Sequence, residues 1–160
     1  LPIWAEIARE LTVEMPSDAR LVLPETVVLG RAAMGERLAR ISLTDRRRVI
    51  RDERPAMVEA IGLSGEDLTP PGHAGLDGAV AISTLSLFAF NAEDMLGPVR
   101  ETLAQTPLPV RAAASDGRVT IRFMAREAYA LRRAAALLPV LTRAPLPRAW
   151  QIRPDPDPCR

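Results

Sequence analysis

Glu59 interrupts an apolar row. Met57, Glu59, Ile61 and Leu63 alternate with Val58, Ala60 and Gly62, the period of two that sets one group of side chains on one face of a strand. A carboxylate in such a row must be paired, hydrated or protonated. Two readings follow. In the first, Glu59 pairs with Arg46 across a hairpin. In the second, it lines a wet internal passage, where a hard oxygen donor holds a divalent ion loosely enough to pass it on. The run Arg46-Arg47-Arg48 invites a phosphate reading, but alternation turns Arg47 away from its two neighbours. No aromatic side chain lies nearby for base stacking. A solvated face whose arginines pair with acids such as Glu59 is the expected role.

Other chemistry is thinly supplied. His73 is the only histidine and Cys159 the only cysteine, whereas a zinc site draws several such ligands. His73, in Pro71-Gly72-His73-Ala74-Gly75, reads as a loop residue. A small hydrolase using His73 with a Ser or Asp is a rival, but Ser83 and Ser86 lie in a strand and there is no Gly-x-Ser-x-Gly elbow. All 21 basic residues are Arg, so no phosphate-binding Gly-Lys-Ser/Thr loop exists. Against 20 acidic residues they leave a net charge of +1, which draws the chain to neither nucleic acid nor an anionic membrane. No apolar run approaches the ~18 residues of a membrane span. No signal-peptide pattern is visible, and the lone cysteine fits a reducing, cytoplasmic setting.

The elements that must position these residues are mostly strands. Ala8–Met15 alternates, Pro16-Ser17-Asp18 turns, and Leu21–Leu29 is β-branched and apolar with a bend at Pro24. Gly30 to Glu36 is a glycine-bracketed loop. Arg46–Arg51 and Arg54–Leu63 form a hairpin with the tip Asp52-Glu53. That tip sets Arg51 against Arg54, Val49 against Ala56 and Arg46 against Glu59. Ser64 to Gly78 reads as a long exposed loop. Gly78–Phe90 is a strand, and Asn91 caps a helix over Ala92–Gln105 with Met95, Val99 and Leu103 on its apolar stripe. Val110–Ser115 and Arg118–Met124 are strands joined by Asp116-Gly117. Arg126–Thr142 is a second helix, stopped by Pro145 and Pro147. The fold class is therefore α+β and mostly β: a strand-rich scaffold followed by a β-α-β-β-α segment with two peripheral helices. Residues 1–152 form one domain, and 153–160, rich in Pro and Asp, form a flexible tail. Leu, Val, Ile and Ala must fill the core, because aromatics are only 4% of the chain.

Three blocks carry a resemblance. Val28-Leu29-Gly30-Arg31-Ala32-Ala33-Met34-Gly35-Glu36 is similar to the Leu-Gly-Arg-x-Ala-x-Gly-Glu block of the urease accessory proteins of the UreD/UreH family. Arg48-Val49-Ile50-Arg51-Asp52-Glu53-Arg54-Pro55 resembles that family's arginine-rich hairpin, and Val58-Glu59 its following apolar-Glu pair. Ala144-Pro145-Leu146-Pro147-Arg148-Ala149-Trp150 is similar to its Pro-Arg-x-Trp ending. Three blocks in the family's order are far more specific than any one alone.

The resemblance implies a non-catalytic scaffold, a chaperone of urease maturation. Its implied partners are the urease structural subunits, UreF and, through UreF, UreG. It implies no firmly bound cofactor, only transient nickel passing along a water-filled tunnel. By the same resemblance Gly30, Arg31, Met34, Gly35 and Glu36 form a structural or partner-facing loop, and Glu36 and Glu59 are tunnel candidates. Trp150 is expected to anchor the C-terminus. Family members carry a long N-terminal half with a Gly-Gly-x-x-Gly-Gly-Asp stretch that the given sequence does not contain. Leu1-Pro2 matches only the start of their Leu-Pro-x-Glu-Thr. The chain is expected to be the C-terminal part of a longer protein, or a truncated relative whose tunnel lacks walls. The rival to the family reading is a generic β-α-β-β-α interaction module without a nickel role.

Overall fold

The chain is seen in a computed structural model that describes residues 2–30, 37–65, 76, 78–105 and 110–127. Its elements are strands β1 (Pro2–Met15), β2 (Leu21–Val28), β3 (Arg37–Arg51), β4 (Arg54–Ser64) and β5 (Ala81–Phe88), helix α1 (Leu96–Ala104), and strands β6 (Val110–Ser115) and β7 (Arg118–Ala125). They form a three-stranded sheet ordered β1-β3-β4 and a four-stranded sheet ordered β2-β5-β7-β6. The molecule is thus strand-rich, with one short α-helix among the described residues.

Alternation in β3 explains the first sheet. Ile41, Leu43, Asp45, Arg47 and Val49 are buried, while Ser42, Thr44, Arg46 and Arg48 between them are exposed. β1 lies beside β3 in parallel, from Pro2 opposite Arg37 to Met15 opposite Arg51. A parallel pair needs a long crossover, and here β2 supplies part of it by running in the other sheet. β1 and β3 both start earlier than alternation suggested, at Pro2 rather than Ala8 and at Arg37 rather than Arg46. β5 is shorter than the Gly78–Phe90 expected, at Ala81–Phe88. Pro24 sits in β2, an edge strand, where the missing N–H is tolerated.

The second sheet is covered on both faces. One face packs Ala81, Leu85 and Leu87 of β5 and Val119, Ile121 and Phe123 of β7 against Ala92, Val99 and Leu103 of the helical segment. The other face meets the first sheet in two apolar clusters. Ile41, Leu43 and Leu63 join Val27, Ile82 and Met124 in one; Met15, Val49 and Met57 join Leu21, Leu23 and Phe88 in the other. Leu76 and Ala79 are buried in the first of these, so the end of the expected exposed loop at 64–78 is part of the core.

The β3–β4 register departs from the expected one. Arg51 does face Arg54, but Val49 faces Met57 and Arg47, not Arg46, faces Glu59. An unbroken ladder from the tip would set odd-numbered residues of β3 against even-numbered residues of β4. That would place a buried side chain opposite an exposed one throughout, because cross-strand partners share a face. The irregularity between Val49 and Ile50 leaves Ala56 as an extra residue and restores buried-to-buried pairing.

The helix is also reset. Ala92–Met95 is a 3-10 turn, and α1 begins only at Leu96. The physical reason is Pro98: within a helix running from Ala92, its ring would strike the carbonyl of Asp94 and one hydrogen bond would be lost. With α1 starting at Leu96, Pro98 falls in the first turn, where amide donors lack partners in any case. Asn91 makes no capping bond to the backbone; its Nδ2 donates to Asp94 Oδ2 at 3.1 Å. The expected stripe is present, with Val99 and Leu103 buried. The helix expected over Arg126–Thr142 lies outside the described residues except for Arg126 and Glu127, which form a bend, and the 153–160 tail lies wholly outside them.

Both hairpin tips hold consecutive residues at positive φ, namely Asp52 (46°) with Glu53 (62°), and Asp116 (52°) with Gly117 (69°). This is the conformation whose twist suits a two-residue connection. Gly117 is pinned on three sides. Its carbonyl accepts from Ala89 N at 3.1 Å and Arg51 Nη2 at 3.2 Å, and its N–H donates to Glu93 Oε1. A Cβ there would stand 2.6 Å from Arg51 Nη1 and 2.9 Å from the Ala89 carbonyl oxygen. Gly117→Ala is therefore expected to destabilise the fold by about 1–3 kcal/mol, read as a lowered midpoint in urea. An unchanged midpoint would show that this turn relaxes freely.

Candidate functional site

Between the two apolar clusters the inter-sheet layer turns polar. Arg9 in β1 lies directly opposite Asp45 in β3. It donates from Nε to Oδ1 at 3.1 Å and from Nη2 to Oδ2 at 2.6 Å, the two-pronged geometry a guanidinium forms with a carboxylate. Arg47, two residues along the same face, donates to Asp45 Oδ2 from Nε at 2.8 Å and also from Nη2. Asp45 is 0% exposed and Arg47 4%.

From this buried centre the charges run outward in both directions. Arg9 Nη1 reaches Glu25 Oε2 of β2 at 2.7 Å. Arg47 Nη1 reaches Glu59 Oε2 of β4 at 3.5 Å, and Arg122 Nη2 of β7 bonds Glu59 Oε1. The sequence Glu25–Arg9–Asp45–Arg47–Glu59–Arg122 alternates in sign, balances three carboxylates with three guanidiniums, and passes from one sheet to the other at both ends. Thr84 and Ser86 of β5 are buried as well. Burial by itself pushes the Asp45 carboxyl up, but the hydrogen bonds from Arg9 and Arg47 outweigh it and hold Asp45 below the ordinary carboxylate range. The hydrogen bond to Asp45 likewise raises Arg9.

This arrangement is suited to lining a polar zone rather than to moving protons. Asp45 is kept ionised by its two arginines, and a guanidinium does not release a proton in a protein. Among the described residues no group of three or more His, Cys, Asp or Glu side chains gathers as a metal site. At its Glu59 end the belt opens into a cleft of about 250 Å³ lined by Met57, Glu59, Arg111, Ser115, Arg118 and Arg122, among others.

Glu59 is thus paired, as one of its two readings required, but with Arg47 and Arg122 instead of Arg46. Arg46 and Arg48 are exposed on the outer face of the sheet. Gly30 has φ 85°, the conformation for which glycine is suited. Arg31, Met34, Gly35 and Glu36 lie outside the described residues, as do His73, Trp150 and Cys159. Sequence reasoning missed Arg9, Glu25 and Asp45. For Asp45 a signal existed: Ile41, Leu43 and Val49 share its parity with Arg47, so extending the β3 alternation backward puts both charged residues in the core.

A family model described as "UreD urease accessory protein" matches residues 4–151. The chain is 54% identical over 149 residues to a urease accessory protein UreD of Jannaschia sp., covering 91% of this chain and 55% of the relative. It is 40% identical to a UreD of Cereibacter sphaeroides, covering 89% and 53%, and 38% identical to one of Paracoccus denitrificans, covering 92% and 54%. The chain spans about half the length of the curated relatives it matches.

Asp45→Ala leaves Arg9 and Arg47 without their shared carboxylate, and is expected to cost about 3–5 kcal/mol in denaturant unfolding. Because the folded-state pKa of Asp45 is lowered, its contribution is complete above the ordinary carboxylate value of ~3.9 and is lost as pH falls through the lower folded value. The stability gap between the unmodified chain and Asp45→Asn should accordingly hold steady from neutral pH to about 4 and narrow below it. A gap independent of pH throughout would mean that the charge of Asp45 is not what stabilises the belt.

Proposed function

Because the chain belongs to the UreD urease accessory protein family, we propose that it acts as a scaffold in urease maturation. In this reading it holds the urease apoprotein and partner accessory proteins and assists delivery of nickel to the urease active site. The family is one of accessory proteins rather than enzymes. The partners are the urease structural subunits and UreF, with UreG recruited through UreF. The setting is the cytoplasm, and no described helix is long and apolar enough to cross a membrane. Nickel is cargo, held transiently and not as a resident cofactor.

The observation that carries this reading is the charged belt in the middle of an otherwise apolar inter-sheet layer. Filling such a space with ion pairs is often no more stabilising than filling it with hydrocarbon, so stability alone does not account for it. A polar stripe crossing from Glu25 to Arg122 supports a lined route through the protein. Glu59, where the belt meets the cleft, and Glu36 are the residues proposed to face that route. Gly30, Arg31, Met34, Gly35 and Glu36 are proposed to form a loop that serves structure or partner contact. For partner contact elsewhere, Phe90 supplies an aromatic side chain that is 90% exposed, the residue type enriched where interfaces form.

The chain, and a parent containing the family's N-terminal half, should each be tested for co-purification with the urease structural subunits and UreF. Capture by both places the binding surface within these residues; capture by neither favours an interaction module unrelated to nickel. Phe90→Ser is expected to weaken capture on the order of tenfold, as loss of an aromatic interface anchor does, without moving the unfolding midpoint. Glu59→Gln in the parent is expected to lower the nickel content of matured urease while capture persists. Full nickel loading by that variant would remove Glu59 from the route.

A further inference from the structure

The cleft at the end of the belt has a floor whose charges the fold does not explain. β6 and β7 form three cross-strand pairs there, Arg111 with Arg122, Ala113 with Thr120 and Ser115 with Arg118. All lie on the face of the second sheet that looks toward the first. Met57 and Glu59 of β4 form the wall. Arg111 and Arg122 stand directly opposite each other, and like charges in that relation repel.

Acidic compensation is scarce. Among the described residues Glu59 is the only carboxylate lining the cleft, and it is already shared by Arg47 and Arg122. Among the described residues Arg111 bonds only a carbonyl next to it, Val110 O at 2.8 Å. Arg118 has no ion pair among the described residues. At the centre of the floor, Thr120 Oγ1 is buried without a hydrogen-bond partner among the described residues. Among the described residues, a group entering the cleft would therefore meet two guanidiniums without an acid partner, an unpartnered hydroxyl and the Ser115 hydroxyl.

We propose that this cleft binds a small free oxyanion, a carboxylate or phosphate group held by Arg111 and Arg118 over Thr120. The chemistry matches: a guanidinium presents paired donors to two oxygens of one anion, and a bound oxyanion both relieves the repulsion and accepts from the hydroxyls. The size matches as well. A cleft of about 250 Å³ is below the roughly 300–1,000 Å³ of sites for drug-sized ligands, so the ligand is a small ion or acid. The site is independent of the maturation role and requires no nickel.

The test is to titrate the intact chain with inorganic phosphate and, separately, with malonate, holding ionic strength constant with potassium chloride. Amide NMR shifts of β6 and β7 and the thermal midpoint are followed. Saturable shifts centred on residues 111–122 are expected, with Arg111→Gln and Arg118→Gln each weakening the apparent Kd on the order of tenfold. Tighter binding of phosphate or of malonate assigns the preferred oxyanion. In chloride alone Arg111→Gln should unfold at or above the midpoint of the unmodified chain, because its repulsion with Arg122 is relieved. Shifts that do not saturate, affinities unchanged in both variants, or Arg111→Gln destabilised in chloride alone would each overturn the site.

Discussion

Asp45 carries no exposed surface and accepts hydrogen bonds from guanidiniums on two sides, and much of the architecture can be read as the means of bringing those groups to it. A lone carboxylate in that position would be costly enough to neutralise or to unfold its surroundings. Arg9 comes from β1, so the parallel β1–β3 pair must hold its register. Arg47 comes from Asp45's own strand, two residues on, so β3 must remain regular between them. Each arginine then needs a second acid, and those acids lie on β2 and β4. The two sheets are thereby joined by charge where they are not joined by hydrocarbon.

The bulge at Ala56 serves the same end. Without it β4 would turn Glu59 and the apolar row around it toward solvent whenever β3 turned Asp45 and Arg47 inward. One extra residue reconciles a two-residue tip with two strands that must both bury their odd-numbered side chains. The tip is tied down in turn: Ser17 N–H donates to Asp52 Oδ1 at 3.0 Å, and Asp52 N–H donates to Met15 O at 3.2 Å. The end of β1 and the β3–β4 turn therefore cannot slide independently, which keeps Arg9 opposite Asp45.

A layer built this way differs from a close-packed apolar interior in what it can accommodate. Hydrocarbon on either side excludes water, while the belt presents fixed charges of both signs and the hydroxyls of Thr84 and Ser86. Arg9 and Arg122, toward the two ends of the belt, are partly exposed while Asp45 and Arg47 at its centre are buried. For a scaffold proposed to handle a divalent cation, alternating charge has a physical advantage over a cluster of acids. A cluster retains the ion, whereas carboxylates already engaged by guanidiniums bind it weakly and let it leave.

Local chemistry in the sequence determined which segments are strands and where they turn. Alternation marked the β4 row containing Glu59, Asp116-Gly117 marked the β6–β7 hairpin, and the Val99–Leu103 stripe marked the helix; Pro98 marks where that helix begins. These signals involve residues a few positions apart, so short-range sterics and periodicity suffice to express them. Tertiary structure decided what the sequence could not: that β1 pairs with β3 in parallel, that β2 crosses to the other sheet, and that Ala56 bulges. Those choices brought Arg9, Glu25, Asp45 and Arg122 to Glu59 and Arg47 across separations of up to 63 residues. No local preference encodes such meetings, because they depend on the free energy of burying two whole sheet faces together, and a shift of one residue in any strand changes every partner.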